Sequence, residues 1–333
     1  MTQNPPPTLP LPLASTSAAP QLSVTVTAAL KALNNIIIGK PEQIRLSVIC
    51  LLAGGHILIE DRPGVGKTTL ALALARVMGL DFKRVQFTSD LLPGDIIGST
   101  VYSRENERFV FKPGPVFTNL LLADEINRAS SKTQSALLEA MEERAVSIDG
   151  IAQSLPSPFF VIATQNPLSQ IGTFALPESQ LDRFLMRISL GLPGKLAERE
   201  LLAGTDRRLL IAAQAPLLSH EALLTLQAQV RVVHASDNLL DYIQNLVDQT
   251  RTDPHLADGI SPRGALALLA CARASAFLAG RSYVIPEDVQ GVFSSVVGHR
   301  VAVRASDASV AHDHTAGTQI AQRIVAQTAV INV

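Results

Sequence analysis

The chain lacks an excess of charge. Its 28 Lys and Arg face 29 Asp and Glu, leaving a net charge of −1. A nucleic-acid binder is more often basic, so a nucleic-acid partner is disfavoured. Cysteine is scarce: Cys50 and Cys271 both stand in apolar helical stretches and read as small buried hydrophobes, not as a disulfide or metal ligands. There is no CxxC and no His pair at zinc spacing, and the short cluster His312–Asp313–His314 reads as a solvated loop. No Lys or Arg precedes Lys31, so the N-terminus is without the basic region of a signal peptide. The longest apolar run, LSVICLLAGGHILI, is broken by Gly-Gly-His and is too short to span a bilayer. Together these absences predict a soluble, cytoplasmic protein with no direct membrane insertion.

What the chain does have is apolar residue and length. At 333 residues and 47% hydrophobic, it can fill two domains, or one large and one small. Residues 1–22 are rich in Pro, Ser and Ala and suit a disordered leader. Beyond them, HILIE, FKRVQF, NLLLADE, FFVIATQ and LMRISLGL are short apolar runs of the kind that form buried strands. Helical patterns such as SKTQSALLEAMEER separate several of them. That alternation predicts an α/β fold, a parallel sheet with helices on both faces, over residues 23–192. From Pro193 strand signals fade, and 193–333 reads as a small all-α domain. In it Leu239, Ile243, Leu246 and Val247 share one helical face, and Gly280 closes a second helix.

One stretch carries phosphate chemistry. In DRPGVGKTT, Gly64, Val65 and Gly66 form a loop between an apolar strand and a helix. The glycines let successive backbone N–H groups turn toward an anion at the helix N-terminus. Lys67 would reach the β- and γ-phosphates of a bound nucleotide, and Thr68, next to Thr69, would bind Mg²⁺. The usual pattern begins with Gly, and here Asp61 stands in that place. Because that position opens the loop without cradling phosphate, the site is expected to survive.

Two further strands complete the constellation. NLLLADE delivers Asp124 to the Mg²⁺ shell and Glu125 as the base for an attacking water. FFVIATQNP delivers Asn166 to a sheet end, where an amide can orient that water. The developing phosphoryl charge needs a cation, often an arginine from a neighbour; Arg128, Arg183 and Arg263 are the candidates.

These stretches together resemble the MoxR family of AAA+ ATPases across roughly residues 30 to 300. The resemblance is most specific in EDRPGVGKTTLALALA, in QFTSDLLPGDIIGS, and in the long run from FKPGPVF to VSIDG. It continues in VIATQNPLSQIGTFALPESQLDRFLMRI and GISPRGALALLACARASAFLAGRSYVIPEDV. It implies a P-loop NTPase core followed by a helical lid, with ATP and Mg²⁺ as cofactors. Lys67 and Thr68 match the Walker A motif, Asp124 and Glu125 Walker B, and Asn166 sensor 1. Arg183 resembles the arginine finger acting on the next subunit, with Arg128 as runner-up, and Arg263 resembles sensor 2. STVYS and ERFVF are expected to pair as a hairpin about Glu105–Asn106, like the helix-2 insertion of this clade, and AVSIDGIAQS resembles its second hairpin. Such hairpins either meet a pore or partner, or merely stabilise the surface. The family further implies a hexameric ring and a chaperone-like activity on partner proteins, often with a von Willebrand factor A domain protein. A nucleic-acid-stimulated motor, an assembly scaffold and a metal-chelatase-type subunit are the alternatives.

Overall fold

Side chains along the apolar runs alternate between two buried layers, which fixes how the chain stacks. The computed structural model describes residues 19–105, 107–166, 174, 176–304 and 314–330. The chain enters through helices α1 (Ala19–Ile36) and α2 (Pro41–Leu52), then strand β1 (Ile57–Glu60) and helix α3 (Lys67–Val77). Strand β2 (Phe82–Gln86), helix α4 (Pro93–Ile97), the pair β3 (Gly98–Ser103) and β4 (Arg108–Pro113), and strand β5 (Leu120–Asp124) follow. Next come α5 (Ser131–Glu143), the pair β6 (Ala145–Ile148) and β7 (Ile151–Ser154), β8 (Phe160–Gln165), α6 (Glu178–Leu181) and β9 (Met186–Ile188). Residues 1–18 of the expected leader lie outside the described residues, and α1 already begins at Ala19, ahead of the expected boundary at 23.

Strands β2, β5, β8, β1 and β9 lie in that order in one sheet, and every neighbouring pair is parallel. All residues of β5 and β8 are buried, as parallel strands covered on both faces must be. The two-residue period shows directly. Ile57, Ile59, Leu120, Leu122, Phe160 and Ile162 join the hydrophobic cluster on one face. Leu58, Leu121, Ala123, Val161 and Ala163 join the cluster on the other, with Leu137, Leu138 and Met141 of α5.

Both expected hairpins are present. β3 and β4 pair antiparallel from Gly98↔Pro113 to Ser103↔Arg108, with Asn106 outside the described residues. β6 and β7 turn through Asp149 and Gly150, both at positive φ (52° and 79°), the backbone that an Asp-Gly pair adopts readily. The strand expected over 185–192 is shorter, three residues in β9, because the chain breaks from the sheet at Ser189.

Beyond β9 run α7 (Lys195–Ala203), α8 (Arg207–Ala213), α9 (His220–Arg231), α10 (Asp237–Thr252), α11 (Pro262–Leu278), α12 (Pro286–Val297) and α13 (His314–Gln327). The expected apolar face of α10 is buried, and α11 ends at Gly280 with φ 75°. One departure from an all-helical segment is a short antiparallel pair, β10 (Leu256–Asp258) with β11 (Ala302–Val303). The hydrophobic cluster runs on across position 193: Leu33, Leu74, Ile211, Leu223 and Leu268 belong to one group. Cys50 and Cys271 are free thiols in its interior. Within the expected His312–His314 cluster, residues 312 and 313 lie outside the described residues, and His314 opens α13. Among the described residues no helix is long and apolar enough to cross a membrane.

Candidate nucleotide site

The carboxyl ends of β1, β5 and β8, with β2 at the sheet edge, converge on one cavity of about 350 Å³. Open parallel sheets place ligands at such strand ends. Gly64, Gly66, Lys67, Thr68 and Thr69 line one side, and Asp124, Glu125 and Asn166 the other. Val65 is partly buried and packs on the core.

The loop has the backbone that an anion cradle needs. Gly64 and Gly66 take φ of 85° and 99°, and a Cβ placed on either would meet no atom within 4 Å. The backbone there is therefore open to the cavity, while a side chain would be conformationally strained. Gly66 caps α3, so the first-turn amides of that helix face the opening with the positive end of its dipole. Lys67 is 8% exposed and donates to Asp61 O at 2.6 Å and to Asn166 Oδ1 at 3.3 Å. Burial holds its pKa below the ordinary value, against the pull of Asp61, Asp124 and Glu125. Asp61, in the place of the usual glycine, accepts from Ser189 Oγ (3.0 Å) and Gly191 N (2.6 Å) just past β9. It stitches the loop's entry to the chain leaving the sheet.

Across the cavity the two acids are differently held. Asp124 accepts from Thr164 Oγ1 at 2.5 Å through one oxygen and from Arg84 Nη2 at 2.6 Å through the other. Glu125 sits at φ 56°, a left-handed conformation uncommon for a residue with a side chain. Its backbone N–H donates to the same Thr164 Oγ1 (2.9 Å). Its carboxylate accepts from Asn166 Nδ2 (3.0 Å), Gln86 Nε2 (2.9 Å) and Arg128 Nη1 (2.9 Å). Arg84, Gln86 and Thr164 were not singled out from the sequence. Thr164 does leave a signal, as a hydroxyl within a strand buried along its whole length.

The expected arginines divide. Arg128 holds Glu125 but does not line the cavity. Arg183 and Arg263 lie together, away from it: Arg183 Nε approaches Glu142 Oε2 at 2.9 Å, and Arg263 donates to Glu142 Oε1.

The residues fit a magnesium nucleotide. Thr68 and Asp124 offer hard oxygen donors beside the loop. Among the described residues no cluster of three or more His, Cys, Asp or Glu side chains could hold a metal. A cation here needs the phosphate oxygens as well, as Mg²⁺ sites of this kind do.

Comparison with known proteins agrees. A sequence model of the ATPase family associated with various cellular activities matches residues 56–186, and an AAA lid domain model matches 248–322. Chaperone MoxR1 of Mycobacterium tuberculosis is 44% identical over 288 residues, covering 83% of this chain and 75% of that protein. Protein MoxR of Paracoccus denitrificans is 35% identical over 294 residues, covering 81% and 86%. The chain belongs to the MoxR family of AAA+ ATPases. A protein from Cytophaga hutchinsonii, provisionally named an ATPase, has a crystal structure that superposes with a TM-score of 0.84 at 35% identity. The match covers 95% of this MoxR-family chain and 98% of that one.

Proposed function

We propose that this MoxR-family chain hydrolyses ATP to ADP and phosphate and uses the cycle to remodel or mature partner proteins. The observation that carries the reading is the chain of contacts from Lys67 through Asn166 to Glu125 across the cavity. It joins a phosphate-binding cation, a polar amide and a carboxylate base in one line.

In this reading, the loop amides and Lys67 hold the β- and γ-phosphates. Thr68 and Asp124 would hold Mg²⁺, which when bound would neutralise phosphate charge and polarise the γ-phosphoryl group. Glu125 takes a proton from a water that Asn166 orients toward the γ-phosphorus. The new P–O bond forms as the bond to the β–γ bridging oxygen breaks, and ADP carries away that electron pair. Glu125 is restrained by three donors, so its carboxylate is aimed before substrate arrives.

Arg183 is proposed as the finger acting on the next subunit's nucleotide, and its absence from the chain's own cavity supports this. Arg263 shares that position, so it is assigned to the neighbour's site beside Arg183. A shared site implies a ring, proposed as a hexamer. The β3–β4 hairpin carries an exposed aromatic pair, Tyr102 and Phe109, with ring centroids 5.4 Å apart. That surface suits contact with a client or a von Willebrand factor A domain partner.

Hydrolysis per subunit, measured against protein concentration with Glu125→Gln as the blank, tests the reading. A rate that rises with concentration and vanishes in the variant supports a shared site. A concentration-independent rate in a protein that sedimentation shows to dissociate would refute it.

A further inference from the structure

Three arginines and two acids meet where the end of α5, the turn after α6 and the last helices come together. Arg300, in the turn just past α12, is almost wholly buried, with a side-chain exposure of 3%. It donates to Asp182 Oδ1 (2.7 Å), to the carbonyls of Asp182 (3.2 Å), Phe184 (2.7 Å) and Leu185 (3.0 Å), and to Val296 O. His299 Nε2 adds a contact of 3.0 Å to Phe184 O. The backbone on both sides of Arg183 is thus fastened to the lid. Its side chain is not fixed by these bonds.

Glu142 supplies that restraint. It receives Arg183 through Nε at 2.9 Å, the inner nitrogen of the guanidinium, which keeps the far edge available for a second anion. Its other oxygen receives Arg263 from the first turn of α11. Asp182 is 4.0 Å from Arg263 but is already engaged by Arg300. Without Glu142, the two guanidinium groups it pairs would lose their shared counter-charge and repel each other. The location of Glu142 is itself informative. It lies in the last turn of α5, where the helix dipole disfavours an acid. Two guanidinium partners offset that penalty.

We infer that Glu142 is a positioning residue that gathers Arg183 and Arg263 into one cationic pair for the nucleotide of the adjoining subunit. The inference rests on the proposed shared site. It adds that the finger and the lid arginine act as a unit, joined by one carboxylate that touches neither nucleotide. A pair set this way presents two charges at a fixed spacing, and a misplacement of about 1 Å costs on the order of 100-fold in rate.

Complementation between two disabled subunits tests it. Lys67→Ala subunits supply arginines but bind ATP too weakly to turn it over at a limiting concentration; Arg183→Ala subunits bind ATP but supply no finger. Mixed, they are expected to recover hydrolysis that neither shows alone. Adding Glu142→Ala to the Lys67→Ala subunit is expected to reduce that recovery roughly 10- to 100-fold. Adding it to the Arg183→Ala subunit is expected to leave it within about twofold, and Glu142→Asp to restore part of it. Thermal melting and binding of a fluorescent ATP analogue monitor folding in each variant. Equal losses on both sides mean a merely structural role and overturn the inference. So does full recovery with Glu142→Ala on the arginine-supplying side, while the shared site stands. No recovery with Glu142 intact on both sides overturns the shared site, and this inference with it.

Discussion

Asn166 donates its side-chain N–H to Glu125 Oε1 at 3.0 Å, fixing an amide against the carboxylate proposed as base. Glu125→Gln is therefore expected to lower hydrolysis by roughly 10²- to 10⁴-fold with ATP affinity kept. Asn166→Ala is expected to lower kcat less and to leave KM nearly unchanged. Phosphate release and titration with a fluorescent ATP analogue check both. A Glu125→Gln protein hydrolysing at the unsubstituted rate would remove Glu125 from the reaction.

Lys67 should act on binding instead. In the folded chain its ammonium is buried against Asp61 O and Asn166 Oδ1. A charged hydrogen bond to phosphate contributes about 1.5–3 kcal/mol. Lys67→Ala is expected to weaken ATP binding by at least about tenfold, read by the same titration. Unchanged affinity would mean that the phosphates sit elsewhere.

Thr164 serves two acids through one hydroxyl, donating to Asp124 and accepting from the backbone of Glu125. Thr164→Val keeps the shape and leaves Asp124 Oδ1 and the Glu125 N–H without this hydroxyl. The expected loss is about 1–3 kcal/mol of stability, seen as a lower melting temperature, together with slower hydrolysis. Thr164→Ser should recover both. A valine variant as stable and active as the parent would show the hydroxyl to be idle.

Acid should destabilise the fold early. His56 accepts from Val161 N–H at Nδ1 (3.0 Å), so Nε2 carries the proton, 3.2 Å from Met141 O. Burial lowers its pKa from 6.5 to about 3, and burial likewise lowers that of His299. Unfolding lets each imidazole take a proton below pH 6.5. The stabilising preference for the neutral ring is full above that pH and is lost as pH falls, for His56 toward 3. Each histidine then contributes a slope of about 1.4 kcal/mol per pH unit. Denaturant melts from pH 7.5 to 4.5 should show the slope, and His56→Asn should reduce it. A flat profile would show that neither ring resists protonation.

Much of this was legible in the sequence because it is local. A buried parallel strand reads as an apolar run; Asp124, Glu125 and Asn166 stand where such runs end, and Lys67 follows the glycine loop after one. The side chains that aim them were not legible. Arg84 and Gln86 sit in a half-exposed strand like any surface residues, and only the pairing of β2 with β5 brings them to the acids. Glu142 reads as one acid among several in EAMEER, and its two arginine partners arrive from segments 41 and 121 residues later. The all-helical expectation past Pro193 missed β10 and β11 because a strand of two or three residues is too short to show alternation.

Asp61 moors the phosphate loop to a distant part of the chain. Its carboxylate grips Ser189 and Gly191, where the polypeptide leaves the sheet for its helical half. Any displacement of Asp61 must carry this segment with it or break both bonds. A glycine in that place would have no handle. The residue that makes the loop look irregular is a mooring line to the segment just past the sheet.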